Sequence, residues 1–145
     1  MQKISTTTSG DVDPTWSPDG SKIAFQTTVG MNAEIFVMNS DGSNRVNLTN
    51  NPGLDILPKW SPDGSRIAFA STRDTPGFQD IYVMNADGSN PIRLTNSPGE
   101  DLFPFWSPDG TRIAFDSDQL CAPFCYQQIW AMSADGSGPT TGSST

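Results

Sequence analysis

The chain has 145 residues, and its 16 acidic and 8 basic side chains give it a formal net charge of −8. A negative field of this size repels phosphates and anionic lipids, which excludes nucleic acid from the expected partners. With 13 glycines and 12 prolines the composition is typical of a turn-rich, all-β chain of one domain or part of one. No apolar run reaches membrane-spanning length, so no membrane insertion is expected, and no hydrophobic region follows residues 1–5 to act as a secretion signal.

An internal repeat organises the sequence. The string WSPDG occurs three times, with spacings of 44 and 46 residues, and each copy is followed by Ser or Thr, Lys or Arg, and Ile-Ala-Phe. A second string, VMNSDGSN, recurs as VMNADGSN and AMSADGSG. The WSPDG copies lie at 16–20, 60–64 and 106–110, and the second strings at 37–44, 83–90 and 131–138. Three units of one repeat are therefore present.

Each unit contains four short strand-like runs, here called a to d. In the second unit we predict strand a at 58–60, b at 66–70, c at 80–85 and d at 91–95. The SPDG and ADGS segments predict tight turns, because Pro presets φ, Asp bonds nearby backbone and Gly accepts positive φ. The Ile-Ala-Phe runs are apolar on both faces, as in sheets that pack between two neighbouring sheets.

The repeat length of about 40 to 50 residues and the four strands per unit predict a β-propeller blade. We predict a strand d at 2–7, blade 1 at 11–50, blade 2 at 55–96, blade 3 at 101–138 and a polar tail at 139–145. Blade 3 thus lacks its own strand d. Because propellers typically have 4–8 blades, three cannot close a ring.

A homodimer would supply six blades, with residues 2–6 of one subunit adding strand d to blade 3 of the other. We prefer this arrangement to a nine-bladed trimer. The alternative is that the sequence is a fragment of a longer propeller.

The WSPDG and VMNxDGSN units resemble the WD-type repeats of TolB-like β-propeller proteins over nearly the whole chain. The resemblance implies a periplasmic or secreted protein that binds partner proteins. Similar repeats occur in propellers of peptidases and carbohydrate-active enzymes. From these residues we expect neither the helical domain that precedes the TolB propeller nor a catalytic domain.

One loop varies in length between the units. The separation between the Phe of strand b and the Ile of strand c grows from 10 to 12 to 14 residues, while the other intervals stay nearly constant. In an antiparallel blade the b–c and d–a loops emerge on the same rim, and insertions confined to one rim often mark a binding face. The candidate ligand contacts there are Arg73, Phe78, Gln119, Phe124 and Tyr126. The alternative is that these side chains cover their own loops.

Asp11, Asp55 and Asp101 each precede a repeat tryptophan by five residues, at the start of the innermost strand. In a closed dimer six such carboxylates would surround the channel, where they could bind calcium or a basic group. We favour the simpler interpretation that each bonds backbone N–H groups of its own turn. The aspartates of the SPDG and ADGS turns are interpreted in the same way, namely Asp19, Asp41, Asp63, Asp87, Asp109 and Asp135.

Cys121 and Cys125 lie four residues apart in the longest b–c loop. They predict a loop-closing disulfide in an oxidising compartment. Their spacing is not that of a C-x-x-C redox site, and without histidine the chain lacks the usual four ligands for structural zinc.

The sequence contains no histidine, which excludes Ser-His-Asp and Cys-His catalysis within this chain, and it contains no phosphate-binding glycine loop. Trp16, Trp60 and Trp106 recur at one repeat position and are interpreted as packing between blades. We therefore expect a non-enzymatic scaffold, without a required cofactor, that self-assembles and binds a protein, peptide or small ligand. The alternatives are an enzyme's propeller, or a minimal assembling unit without an evolved ligand.

Overall fold

A computed structural model describes residues 3–5, 10–119 and 126–138 of the chain. Within them the chain forms eleven strands in three antiparallel sheets, one for each repeat unit. Blade 1 contains β1 (Val12–Trp16), β2 (Lys22–Val29), β3 (Asn32–Asn39) and β4 (Val46–Asn47). Blade 2 contains β5 (Asp55–Trp60), β6 (Arg66–Ser71), β7 (Asp80–Asn85) and β8 (Ile92–Arg93). Blade 3 contains β9 (Asp101–Trp106), β10 (Arg112–Ser117) and β11 (Gln128–Ser133).

The strand order follows the chain in every sheet, which confirms the predicted a-b-c-d blade. Strand c of blade 2 has the predicted bounds, whereas strand a begins three residues earlier, at Asp55. Strand d is shorter than predicted, because only Ile92 and Arg93 pair with β7. A bulge interrupts each pairing between strands a and b, and Asp13, Leu57 and Phe103 adopt positive φ there.

Two apolar cores lie between neighbouring blades. In blade 2 the side facing blade 1 presents Ile67, Phe69, Tyr82 and Met84, and the opposite side presents Ala68, Ala70, Ile81 and Val83. We call these sides the upstream and the downstream face, and the repeat gives each blade an equivalent pair. Successive residues of a strand point to opposite faces of the sheet, so a strand that is apolar on both faces contributes side chains to the cores on both sides of its blade.

The N-terminal segment lies against blade 1. The strand predicted over 2–7 would pair with a second copy, and within the single chain its described part, residues 3–5, forms no strand. Ile4 packs instead against the upstream core of blade 1, beside Ile23, Phe25 and Met38. A strand needs a partner with free backbone groups, and strand c of blade 1 already pairs with β4.

Candidate binding rim

The d–a and b–c loops meet at one end of the blades, which we call the loop rim. In blade 2 the Thr72 N–H donates to the Leu54 carbonyl (3.0 Å), and the Leu54 N–H donates to Thr72 Oγ1 (2.9 Å). A Cβ on Gly53 would lie 2.7 Å from the Arg73 backbone, so only glycine permits this approach. In blade 3 the Glu100 N–H donates to Asp118 Oδ1 (2.7 Å). The predicted common rim is thus present.

Asp55 and Arg73 form a buried ion pair on this rim. The Arg73 Nη2 group donates to both carboxylate oxygens of Asp55, at 2.9 and 3.0 Å, and Arg73 Nε donates to Ser71 Oγ at 3.0 Å. The guanidinium carbon lies 5.0 Å from the ring centres of both Phe69 and Tyr82. Arg73, predicted as a ligand contact, therefore holds a carboxylate of its own blade.

Asp11 also forms an ion pair with an arginine, which comes from a different segment of its blade. Arg45, just before β4, donates from Nη1 and Nη2 to the two oxygens of Asp11, at 2.9 and 3.0 Å, and its guanidinium stacks on Phe25 and Phe36. Ser5 Oγ also donates to Asp11. Burial works to raise the pKa of Asp11, but the hydrogen bonds from Arg45 and Ser5 hold it well below its usual range.

Asp101, the third member of the series, has no cationic partner among the described residues. Its side chain is fully buried, and Ser97 Oγ donates to its Oδ2 atom at 3.0 Å. Its Oδ1 atom has no hydrogen-bond partner in the described part of the chain. Asp101 lines a cavity of about 190 Å³ together with Phe115 and Gln119.

These contacts correct the favoured interpretation of the three aspartates. The carboxylates of Asp55 and Asp101 accept hydrogen bonds from side chains rather than from backbone N–H groups of a turn. Both carboxylate oxygens of Asp11 accept hydrogen bonds from an arginine. Within residues 3–5, 10–119 and 126–138, no three His, Cys, Asp or Glu side chains gather where they could hold a metal ion. The spacing could not show that arginines reach two of these positions.

The remaining predicted contacts are dispersed. Phe78 and Tyr126 are exposed on their loops, whereas Gln119 lines the cavity beside Asp101. Phe124 and the predicted disulfide partners Cys121 and Cys125 lie outside the described residues. The described part of the rim therefore offers a cavity with both polar and apolar lining and, separately, exposed aromatic side chains.

The opposite rim carries the SPDG and ADGS turns, and its aspartates are turn residues as predicted. Asp19 accepts from the Ser17 and Ser21 hydroxyls and from the Ser21 N–H (3.0 Å), and Asp63 and Asp109 repeat the pattern. The Ser17 hydroxyl, followed by the backbone N–H and the hydroxyl of Ser21, lowers the pKa of Asp19 to about 2. A larger cavity of about 610 Å³ lies here between blades 1 and 2. Its Asp19 and Asp63 carboxylates are already occupied by their own turns.

The fold and the repeated blades define a class, the β-propellers. The TolB beta propeller domain matches residues 1–143, and the chain belongs to that family. A putative TolB from Agrobacterium tumefaciens superposes with a TM-score of 0.79 at 29% identity, over 92% of this chain and 48% of that protein. TolB from Acinetobacter baumannii superposes with a TM-score of 0.73 at 25% identity, over 85% of this chain and 30% of that protein.

Propellers of enzymes share the fold as well. An oligogalacturonate lyase in complex with manganese superposes with a TM-score of 0.69 at 14% identity, over 92% of this chain and 42% of that chain. At this identity the likeness concerns the fold alone. No curated protein sequence matches the chain significantly. The chain spans half or less of these solved structures. Its described residues include no helix suited to crossing a membrane.

Proposed function

We propose that the chain is a non-enzymatic propeller module that closes a six-bladed ring with a second copy and binds a protein, peptide or small ligand at the loop rim. The resemblance to TolB supports binding of a partner and a periplasmic or secreted location. The absence of histidine from the sequence supports binding over hydrolysis.

The exposure of Ile129 carries the proposal for ring closure. Ile35 and Ile81, at the same repeat position on the downstream faces of blades 1 and 2, are 0% exposed, whereas Ile129 on blade 3 is 84% exposed. Phe103 and Phe105 of the same blade are exposed too. An apolar face that is buried in two blades and open in the third calls for a further blade.

The upstream face of blade 1 is the matching surface. Trp106 packs in the core between blades 2 and 3, and its indole Nε1 donates to the Lys59 carbonyl at 3.0 Å. Trp16, its equivalent on blade 1, is 58% exposed. Since Phe105 is the repeat equivalent of Lys59, we expect Trp16 to pack against Phe105 of the second copy.

The N-terminal segment supports strand exchange. Residues 3–5 lie against blade 1 where strand d of a preceding blade would lie, and β11 of the described chain has no strand d beside it. In the ring, this segment would pair with β11 of the second copy and complete its blade. Six blades per ring agree with known propellers better than nine.

The mass of the chain in solution tests this proposal. Light scattering should give about 31 kDa, twice the 15.6 kDa of one chain, at micromolar concentration. A stable monomer would overturn closure by a second copy and indicate that further blades of a longer chain cover the open faces. A mass near three chains would replace the six-bladed ring by a nine-bladed one.

A further inference from the structure

Blade 2 contains a complete binding site for a guanidinium group. The site consists of the Asp55 carboxylate, the Ser71 hydroxyl and the rings of Phe69 and Tyr82, and Arg73 occupies it. The carboxylate and the hydroxyl accept the N–H groups in the guanidinium plane, while the rings contact its face. This combination of planar acceptors and aromatic stacking suits arginine better than lysine.

Blade 1 builds an equivalent site from different parts of the chain. Asp11, Phe25 and Phe36 occupy the repeat positions of Asp55, Phe69 and Tyr82, but the guanidinium comes from Arg45 before strand d rather than from the b–c loop. The two blades thus contain the same kind of site, but the arginine that occupies it comes from a different segment of each blade. The carboxylate and the aromatic pair are the elements that both blades share.

Blade 3 retains the constant elements. Asp101 pairs across the strands with Ser117, as Asp55 pairs with Ser71, and both aspartates are fully buried. Phe115 pairs with Trp130 at the positions of Phe69 and Tyr82. The two positions that supply arginine elsewhere are occupied by Gln119 and, in the sequence, by Pro139. Blade 3 therefore keeps the site but not its arginine.

Two buried acceptors at or beside this site lack a donor in the described part of the chain. Asp101 Oδ1 and Gln79 Oε1 are both buried acceptors without a hydrogen-bond partner among the described residues, and the Asp101 N–H donates to the Gln79 carbonyl (2.8 Å). Burial, and to a smaller extent the charge of Asp101, raise the pKa of nearby Asp80 even though Arg93 pairs with it. Arg93 pairs with Asp80, whereas the buried Asp101 carboxylate has no cation beside it among the described residues, so a bound guanidinium would compensate its charge.

We propose that the cavity beside Asp101 binds the guanidinium group of an arginine side chain presented by a partner polypeptide. The cavity of about 190 Å³ adjoins Asp101, Phe115 and Gln119 and has room for about six water molecules. This inference rests on the proposed role of the loop rim as a binding surface and names the group that it recognises.

Titration of the full-length protein with N-acetyl-L-arginine amide tests the inference. We expect NMR shift changes at the Trp130 indole and the Gln119 amide, with a dissociation constant on the order of 1 mM for a compound of this size. The uncharged citrulline analogue and the lysine analogue should bind at least about tenfold more weakly. Equal responses to the arginine and citrulline compounds, or no response to either, would overturn the inference.

Three variants locate the binding. Asp101→Asn should weaken the binding of the arginine compound at least about tenfold. Gln119→Arg should supply the guanidinium within the chain, raise the melting temperature and abolish binding, so the test does not depend on the folding of one variant. Asp109→Asn, on the opposite rim of the same blade, is the matched control and should bind as the parent does. Unchanged binding by both rim variants would overturn the assignment.

Two further titrations separate the remaining outcomes. Free L-arginine that binds tenfold more tightly than its blocked amide would assign the site to the amino acid rather than to a polypeptide. A response to calcium chloride that depends on Asp101, without any response to arginine, would replace the guanidinium by a metal ion. The mass of each sample is recorded in the same buffer. A monomeric mass would contradict only the proposed six-bladed ring. A dimer that does not bind the arginine compound would contradict only the proposed guanidinium site.

Discussion

The backbone carbonyl of Ile4 occupies the space into which a Cβ on Gly42 would project. The Leu48 carbonyl has the same relationship to Gly88, and at Gly136 the Leu94 side chain is the nearest neighbour; Leu48 and Leu94 both belong to the strand d region of the preceding blade. Ile4 therefore stands where a preceding blade would place its strand d residue. This relationship connects the N-terminal segment to ring closure.

Gly42→Ala should disturb this contact. Gly42 has φ of +89° and Gly20 has φ of +70°, so alanine at either position costs about 1–2 kcal/mol of backbone strain. A Cβ at Gly20 meets nothing within 4 Å. We expect Gly42→Ala to lower the free energy of unfolding by at least about 1 kcal/mol more than Gly20→Ala and to weaken dimerisation. Urea denaturation and sedimentation equilibrium measure the two effects, and equal behaviour of the two variants would contradict the assigned role of Ile4.

Arg73→Gln should destabilise the protein by about 3 kcal/mol, because it leaves the fully buried Asp55 carboxylate without its cation. Adding Asp55→Asn to this variant should restore a large part of the loss. Urea denaturation of the two single variants and the double variant gives the coupling energy between the side chains. Additive losses would mean that the ion pair is not the source of the effect.

The turn aspartates predict an acid-dependent loss of stability. Hydrogen bonds, chiefly from serine hydroxyls, lower the pKa of Asp19, Asp63 and Asp109 from 3.8 to about 2. A carboxyl whose pKa is lower in the folded state stabilises it above the unfolded pKa and loses this contribution as pH falls through the folded pKa. The free energy of unfolding should therefore decrease between about pH 4 and pH 2.

Asn substitutions at these turns provide the check. Asp19→Asn should flatten the pH dependence of unfolding in that window, as should the equivalent changes at Asp63 and Asp109. A parent protein and a triple variant that lose stability in parallel between pH 4 and pH 2 would show that other carboxyls cause the loss.

The sequence predicted the blades well because their determinants are local. The WSPDG and ADGS turns fix where strands end, and the Ile-Ala-Phe runs fix which strands have two buried faces. Strand d was overestimated, because only Ile92 and Arg93 pair regularly with β7, while the N–H groups of Leu94 and Thr95 both donate to the single carbonyl of Ile81. Periodicity indicates where a strand can form, whereas its length depends on the neighbour's free groups.

The site was predicted less well. Spacing placed Asp11, Asp55 and Asp101 on one rim, but it gave no information about which long side chains reach them. Arg45 and Arg73 approach from different elements, and neither approach follows from a repeat position. A buried aspartate beside two aromatic positions, in a blade with an arginine in its b–c loop or just before strand d, is the pattern that could have indicated the pairing.

Ile129→Asp should prevent ring closure. It places a charge on the open downstream face of blade 3, and at an interface a buried, unpaired carboxylate is strongly unfavourable. Met31, which is fully exposed at a loop tip away from this face, provides the matched control as Met31→Asp. Light scattering should report a monomer for Ile129→Asp and a dimer for the control. A dimer in both would place the interface elsewhere.

The contact between Trp16 of one copy and Phe105 of another tests the central claim most directly. In a dimer mixed from labelled and unlabelled chains, isotope-filtered NMR should detect nuclear Overhauser effects between the Trp16 indole and the Phe105 backbone and ring of the second copy. Their appearance would confirm that blade 3 of one chain packs on blade 1 of the next. A dimer in which Trp16 contacts no residue of the second copy would contradict the ring.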